Sequence, residues 1–195
     1  ILTALVALHY LGEDYRFPTE FHIDNNSDLF VKGYGDPLFI SELFPGIAET
    51  VAEKTLKIND LILDDTFFQR PLTVPGVSQS SLQPYDAPNG ALSANFNTLN
   101  VTLKNGIHGS AEPQTPMIPF AMARVKSGKI SKGRIVFSHN KDENTLYAGH
   151  LLRYFLQQSG IELSGSVKTG SIADRDGGTG FLYESRFTLT EVVAS

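Results

Sequence analysis

Three short strings in the sequence contain the residue types of a serine acyl-transfer site. Ser138 and Lys141 are spaced as Ser-x-x-Lys, Ser93 and Asn95 as Ser-x-Asn, and residues 168–170 read Lys-Thr-Gly. A lysine one helical turn after a serine can help to deprotonate the hydroxyl and make it a nucleophile. Here, however, Ser138 ends a predicted strand and enters a polar turn, so the spacing does not predict a nucleophile at this position.

Two turns and five histidines are the other candidate ligand sites. Residues 33–38 are similar to a dinucleotide loop, but a leucine replaces the third glycine and a proline removes one amide donor. Residues 24–28 begin like a calcium loop, but leucine and glycine occupy positions six and twelve. The histidines form no HxxxH pair, so zinc is not expected: they are His9, His22, His108, His139 and His150. The sequence therefore predicts no catalytic, cofactor-binding or metal-ligating residue and no cofactor.

The composition is that of a globular, mildly acidic chain. Its 195 residues are 41% hydrophobic and 19% charged, with a formal net charge of −5. This charge argues against bulk binding to nucleic acid. There is no cysteine, which excludes disulfides and thiolate metal sites. The apolar run at residues 1–11 is far shorter than the roughly 18 residues of a membrane span, so no transmembrane segment is expected.

The hydrophobic pattern alternates between strands and helices, which predicts an α+β fold with a mainly antiparallel sheet and flanking helices. Pro18 indicates an edge strand or an early strand position. The predicted strands are 15–23, 29–34, 58–63, 99–103 before the Asn105-Gly106 turn, 161–167 and 181–183. Helix starts are predicted at Asp36-Pro37, at Pro45 before a helix over 47–56, and at Asp142 or Asn144 before a helix that Gly160 closes. Residues 124–134 are expected to form a basic hairpin whose lysines and arginines face solvent.

A proline-rich stretch over residues 69–90 has no periodicity. Its prolines are Pro71, Pro75, Pro84 and Pro88. A segment of this length without periodicity indicates either a functional loop or a junction between substructures.

Both ends of the sequence have helical patterns. Residues 1–11 predict a helix that Gly12 ends, and Thr188 to Glu191 form a capping box before a helix that reaches Ser195. We interpret both as parts of longer helices whose apolar surfaces lack a partner here, although naturally frayed ends are an alternative.

Five segments, in order, resemble the low-molecular-mass class C penicillin-binding proteins, the D-alanyl-D-alanine carboxypeptidase/endopeptidases. They are residues 2–12 with 15–17, residues 31–37, residues 63–68, residues 85–92 with Asn95 and Asn97, and residues 146–149. In that family a serine-peptidase domain is interrupted by a large insertion between its Ser-x-x-Lys helix and the helix leading to Ser-x-Asn. The family order is Ser-x-x-Lys, Ser-x-Asn, Lys-Thr-Gly, whereas Ser-x-Asn comes first here.

The resemblance implies that this chain is the insertion with two helical stubs. Residues 1–12 would be a stub of the catalytic domain, 13–186 the inserted α+β domain, and 187–195 the start of the returning helix. Within the insertion, 69–90 would be the proline-rich junction and 91–138 a β-rich part, with the family's β-sandwich subdomain reduced or absent. The three chemical strings would then be coincidental.

The same resemblance implies a periplasmic or extracytoplasmic parent enzyme that acts on peptidoglycan through an acyl-enzyme, and whose nucleophile lies outside this chain. The expected partners are the parent catalytic domain in cis and, as a further option, peptidoglycan or cell-wall proteins. Two alternatives stay open. The chain could be a free-standing extracytoplasmic binding or interaction module, or an enzyme with its own site at the Ser138 strings or at Asp64-Asp65.

Overall fold

The structure, a computed structural model, describes residues 2–69, 76–78 and 80–194. The helices are α1 (Leu2–Leu11), α2 (Phe44–Ala52), α3 (Pro119–Ser127), α4 (Lys141–Gln158) and α5 (Leu189–Ala194). The strands are β1 (Arg16–Ile23), β2 (Leu29–Gly33), β3 (Lys57–Ile58), β4 (Leu61–Asp64), β5 (Thr98–Lys104), β6 (Ile107–Ser110), β7 (Gly133–Val136), β8 (Glu162–Leu163), β9 (Val167–Thr169) and β10 (Thr179–Thr188). Two prolines of the predicted proline-rich stretch, Pro71 and Pro75, lie outside the described residues, as do Ile1 and Ser195.

A five-stranded sheet in the order β10-β1-β2-β4-β9 forms the centre of the fold. The pairs β10–β1 and β1–β2 are antiparallel, whereas β2–β4 and β4–β9 are parallel. The α+β class is confirmed, but this sheet is mixed. Parallel neighbours need a long crossover connection. The connection from β2 to β4 contains α2, and the one from β4 to β9 contains β5 to β7, α3 and α4.

Two helices, α2 and α4, cover one face of this sheet and pack against each other. The predicted stripe on α2 is buried, with Ile47, Ala48 and Val51 all fully enclosed. On α4, Gly149 allows close approach to the sheet, since a Cβ there would lie 2.2 Å from Cδ1 of Leu63. The hydrophobic core therefore lies between the sheet and these helices.

A second, three-stranded antiparallel sheet has the order β6-β5-β7. The predicted turn at Asn105 and Gly106 joins β5 to β6, and both residues have the positive φ values of such turns, 52° and 77°. Over residues 91–138, this sheet and α3 are the only sheet and α-helix that the structure describes. A full β-sandwich is thus not present there.

Several predicted elements differ from the structure. The basic hairpin at 124–134 is wrong: α3 occupies its first part, because Pro119 starts a helix that buries Ala121 and Val125 one turn apart, and β7 occupies its end. The predicted strand 58–63 is split between β3 and β4, which belong to different sheets.

Helix and strand boundaries also required corrections. Asp36 does not start a helix, because its Oδ1 accepts a hydrogen bond from the amide of Leu38 in a local turn, at 2.9 Å. Asn140, rather than Asp142 or Asn144, caps α4. Pro18 lies early in its strand as predicted, but β1 is not an edge strand.

The two glycine signals for helix ends are confirmed, whereas α2 ends at Ala52, before the predicted end at Leu56. Gly12 follows α1 with φ of 88°, and Gly160 follows α4 with φ of 83°. The Thr188 amide donates to Oε2 of Glu191 at 2.7 Å, and the Glu191 amide donates back to Thr188 Oγ1 at 3.3 Å. In the described part of the chain, no helix is both long enough and apolar enough to span a bilayer.

Candidate functional site

The Ser-x-x-Lys string does not form a serine–lysine pair. Ser138 lies before α4, where its hydroxyl donates to Glu143 and accepts from the amide of Asn140 at 3.0 Å. Lys141 is the first residue of α4, and its ammonium points to Asp65 instead. A base must reach its nucleophile within hydrogen-bond distance, and these two side chains bond to different partners.

The other two strings are also held in separate contacts. The side chain of Asn95 is buried and pairs with Ser41, donating to its Oγ at 2.8 Å and accepting from its amide at 2.9 Å. Lys168 lies on the edge strand β9 and contacts Oδ2 of Asp60 at 2.6 Å. The geometry thus brings no Ser-x-x-Lys, Ser-x-Asn and Lys-Thr-Gly set together. The prediction that the chain has no catalytic residue stays a prediction.

A cleft of about 250 Å³ lies between the first turn of α4, the end of β4 and the segment 86–97. Most of the residues that line it are polar, among them Asp65, Asp86, Ser93, Asn97, Lys141 and Asn144. Ser93 and Lys141, taken from two different predicted strings, both line it. Concave sites with a few converging polar groups are the usual places for small-ligand binding, so this cleft is the candidate site.

The carboxylate of Asp65 in the cleft is paired with the ammonium of Lys141. Asp65 is 6% exposed; its Oδ1 accepts from the amide of Leu92 at 2.8 Å and its Oδ2 lies 3.3 Å from Lys141 Nζ. Thr145 Oγ1 also donates to Asp65, at 3.3 Å, and Lys141 donates to the Asp65 carbonyl at 2.6 Å. Because Lys141 pairs with a buried carboxylate, we assign it a structural role.

Two buried asparagines at the cleft have amide oxygens without a partner. Asn97 and Asn144 are 2% and 3% exposed. Their amide nitrogens are engaged: Asn97 donates to Pro88 O at 2.7 Å and to Ser93 Oγ at 2.9 Å, and Asn144 to Ser138 O at 2.9 Å. Neither Oδ1 accepts a hydrogen bond from a residue that the structure describes. Such groups are rare in folded proteins, and these two could accept from an ammonium or amide donor.

The segment Asn95–Asn97 adopts a left-handed conformation beside this cleft. The φ angles of Asn95, Phe96 and Asn97 are 50°, 59° and 53°, a region that asparagine tolerates but phenylalanine disfavours. The turn leaves Phe96 55% exposed at the rim of an adjoining cleft that Phe68 and Gly35 also line. Backbone strain of this kind concentrates at functional sites. Sequence reasoning missed it, and the two flanking asparagines were the only available signal.

The acidic pair Asp64-Asp65 does not form a carboxylate dyad. Asp64 is fully buried and accepts from the amide of Ile172 at 2.8 Å and from the hydroxyl of Thr66 at 2.6 Å, with Lys32 Nζ at 3.8 Å. Burial raises the pKa of Asp64, but these hydrogen bonds and the lysine outweigh it and hold the pKa below its ordinary value. Asp64 therefore stabilises the end of β4 as a carboxylate.

The candidate nucleotide and calcium turns have structural roles. Residues 33–38 pack against Ala91, whose carbonyl oxygen would lie 2.1 Å from a Cβ at Gly33 and accepts from the amide of Gly35 at 2.8 Å. In residues 24–28, Asp24 Oδ1 accepts from two amides of its own turn, both at 2.9 Å. Across residues 2–69, 76–78 and 80–194 no group of three or more His, Cys, Asp or Glu could hold a metal ion.

The family is decided by a match over most of the sequence. Residues 1–141 match the model of the D-Ala-D-Ala carboxypeptidase 3 (S13) family. The chain belongs to the S13 peptidase family. No curated protein is significantly similar in sequence to this S13 chain.

Solved structures show the same fold. The S13 chain is similar to penicillin binding protein 4 (dacB) from Haemophilus influenzae, with a TM-score of 0.68 and 17% identity over 98% of this chain and 51% of that one. A second structure of that protein, complexed with a novel beta-lactam, has a TM-score of 0.58 and 18% identity over 98% and 49% of the two chains. This S13 chain thus spans about half the length of these two structures.

Proposed function

We propose that this chain is an accessory, non-catalytic region of a serine-type D-Ala-D-Ala carboxypeptidase or endopeptidase that acts on peptidoglycan in the periplasm or another extracytoplasmic space. Membership of the S13 family supports the reaction class. The likeness to about half of a penicillin-binding protein supports the idea of one region within a larger enzyme. The dispersed Ser-x-x-Lys, Ser-x-Asn and Lys-Thr-Gly strings support a nucleophile that lies elsewhere.

The exposure of α1 is the observation that carries the accessory role. The helix is apolar on all sides, yet none of its residues is buried, and Leu2 and Tyr10 are 76% and 80% exposed. A helix that is hydrophobic all round is normally enclosed by protein. The short helix α5 packs against it. We therefore assign residues 1–12 and 187–195 to a catalytic domain in cis and residues 13–186 to the inserted domain, with a proline-rich junction at 69–90 and a β-rich part at 91–138.

A fluorescent penicillin tests the assignment of the nucleophile. We expect no covalent labelling of the isolated chain, and labelling of a longer protein in which this chain is joined to its serine-peptidase domain. The labelled serine should lie outside residues 1–195. Labelling of the isolated chain that disappears in Ser93→Ala or Ser138→Ala would overturn the non-catalytic role.

A matched pair of variants tests the contact between α1 and the catalytic domain. Leu5, 59% exposed here, should become buried in the longer protein. We expect Leu5→Ser to lower the melting temperature of the longer protein but not that of the isolated chain. Leu56→Ser, which changes a residue that is 60% exposed and distant from α1 in sequence, should leave both unchanged. Equal changes in the melting temperature of the longer protein for Leu5→Ser and Leu56→Ser would contradict a contact between α1 and the catalytic domain.

The polar cleft favours a second candidate, a free-standing extracytoplasmic binding or interaction module. Its two unpartnered amide oxygens would accept from a ligand or from a cell-wall polymer. Co-sedimentation of the isolated chain with purified peptidoglycan distinguishes the candidates. Two results together would favour the module. The isolated chain should bind peptidoglycan and lose this binding in Asn89→Trp, which fills the cleft. Penicillin should label neither the isolated chain nor the longer protein that contains it.

A further inference from the structure

Positive and negative charges are separated along the chain. Residues 98–134 contain six Lys or Arg and one Glu, which gives this segment a net charge of +5. The rest of the chain contains ten Lys or Arg and twenty Asp or Glu, a net charge of −10. An asymmetry of this size orients a protein toward a partner of one sign. The positive segment corresponds to the second sheet and α3.

The β5–β6 hairpin extends beyond the body of that sheet. Val101 on the central strand β5 pairs with Ser110 of β6 and with Gly133, the first residue of β7. Past Val101, β5 continues to Lys104 and the Asn105-Gly106 turn with β6 as its only described partner. The turn that precedes Gly133 thus lies at the same end of the sheet as the hairpin tip.

The tip exposes apolar side chains on both of its faces. Ile107 is 74% exposed and lies opposite Lys104 in the register. Leu103 is 42% exposed and lies opposite His108, on the other face because neighbouring strand residues alternate. Two exposed aliphatic side chains at the end of a protruding hairpin form a small apolar wedge.

Four exposed lysines lie on this hairpin and on the stretch from the last turn of α3 to β7. Lys104 is on the hairpin, Lys126 is in the last turn of α3, and Lys129 and Lys132 lie in the turn before β7. None of them forms an ion pair with a residue in the described part of the chain. By contrast, Arg134 of the same segment is paired with Glu112. The four ammonium groups are therefore available to an external anion.

We propose that this hairpin tip and its lysines bind the surface of an anionic lipid bilayer, with Ile107 and Leu103 entering the interfacial region. Peripheral binding of this kind combines apolar insertion with attraction of Lys to anionic headgroups. The apolar wedge of Ile107 and Leu103 provides the insertion, and the unpaired lysines provide the attraction to the headgroups. Repulsion between the bilayer and the acidic remainder of the chain would turn this end toward the membrane. A soluble polyanion would satisfy the lysines but offer no apolar medium for Ile107.

Vesicle co-sedimentation tests the charge contribution. The wild-type chain should bind vesicles of phosphatidylcholine and phosphatidylglycerol in a two-to-one ratio and not vesicles of phosphatidylcholine alone. Each lysine near such a surface contributes about fivefold to affinity, so Lys129→Gln with Lys132→Gln should weaken binding about 25-fold. The control Lys54→Gln with Lys57→Gln makes the same charge change in the turn after α2 and on β3, and should weaken binding far less.

A single tryptophan tests insertion, since the sequence contains none. Ile107→Trp should show a blue shift of its fluorescence with the anionic vesicles, because its ring enters the bilayer interface. Leu56→Trp, at a side chain 60% exposed outside the segment, should show none. Ile107→Ser should weaken vesicle binding about tenfold, by loss of apolar burial.

Three outcomes would overturn the proposal. The first is absence of binding to the anionic vesicles. The second is equal weakening by the two pairs of lysine variants, which would indicate unspecific attraction. The third is vesicle binding that Ile107→Ser does not weaken, together with equally tight binding of soluble polyphosphate. That result would indicate a polyanion site instead of a membrane surface.

Discussion

The ammonium of Lys141 lies 3.3 Å from Oδ2 of Asp65 and joins the first turn of α4 to the end of β4. The carboxylate is 5% exposed and the lysine 33% exposed, so the pair lies at the border between the core and the candidate cleft. Removing one partner of such a pair leaves a buried charge without compensation, which costs more than the pair itself contributes.

We therefore expect Lys141→Met to lower the free energy of unfolding by about 1–3 kcal/mol. The substitution keeps the length of the side chain but leaves the buried Asp65 carboxylate without its cation. Urea unfolding of wild type and variant measures the difference. Lys132→Met removes a charge from an exposed lysine with no described ion-pair partner and should change stability little. Similar losses in the two variants would mean that the Asp65 contact contributes nothing specific.

Asp64 makes folding stability depend on acid pH. Its folded-state pKa lies below the ordinary value, so the carboxylate stabilises the fold above the unfolded-state pKa. That contribution is lost as pH falls through the folded-state pKa. Asp64→Asn should cost about 2 kcal/mol at neutral pH, because an amide group would face the donors of Ile172 and Thr66.

The pH dependence of that difference is the decisive measurement. The gap in unfolding free energy between wild type and Asp64→Asn should shrink as the solution is acidified below the ordinary carboxyl pKa. Asp174→Asn, at an exposed position, serves as the control and should give a small gap that varies less with pH. A gap for Asp64→Asn that is constant from neutral to acid pH would contradict the role of ionisation.

The sequence predicts those parts of the fold that depend on local patterns. The stripe of Ile47, Ala48 and Val51 and the Asn105-Gly106 turn lie within a few residues of their own signals, and both are present in the structure. The prediction for residues 124–134 is wrong because α3 buries only Ala121 and Val125, and its last turn carries Arg124 and Lys126, which are typical of a surface turn. Parallel pairing of β2 with β4 depends on α2 packing across the sheet, which no window of residues shows.

The candidate cleft could not be predicted from the sequence. The contact of Lys141 with Asp65 joins residues 76 apart, and Asn95 contacts Ser41 across 54 residues. Motif spacing instead directed attention to Ser138, whose hydroxyl bonds Glu143. Long-range contacts of this kind are decided by how helices pack on the sheet, and a serine–lysine spacing carries no information about that packing.

Gly149 determines how closely α4 approaches the central sheet. A Cβ there would lie 2.2 Å from Leu63 Cδ1 and 2.7 Å from Val167 Cγ1. Gly149→Ala should therefore destabilise the protein by about 1–3 kcal/mol through overpacking, despite the better helix propensity of alanine. In α2, a Cβ at Gly46 would have no other atom within 4 Å. Gly46→Ala should therefore be neutral or stabilise the protein by up to about 1 kcal/mol. Thermal unfolding of both variants would show opposite shifts; a stabilising Gly149→Ala would mean that the helix moves away at no cost.

Tyr34 provides a spectroscopic probe of the position directly after β2. Burial, together with the hydrogen bond that its hydroxyl donates to Oε2 of Glu20 at 2.8 Å, raises the pKa of Tyr34 to about 12. Because the protonated phenol is the form that the fold favours, this contribution to stability is present below the unfolded-state pKa and is lost as pH rises through the folded-state pKa.

Glu20→Gln removes the neighbouring negative charge and should lower the pKa of Tyr34, whereas Glu53→Gln at the exposed C-terminal cap of α2 should leave the pKa of Tyr34 unchanged. Tyrosinate absorbance, with Tyr34→Phe used to assign the late-titrating component, measures the shift; an identical titration in Glu20→Gln and wild type would show that burial alone sets this pKa.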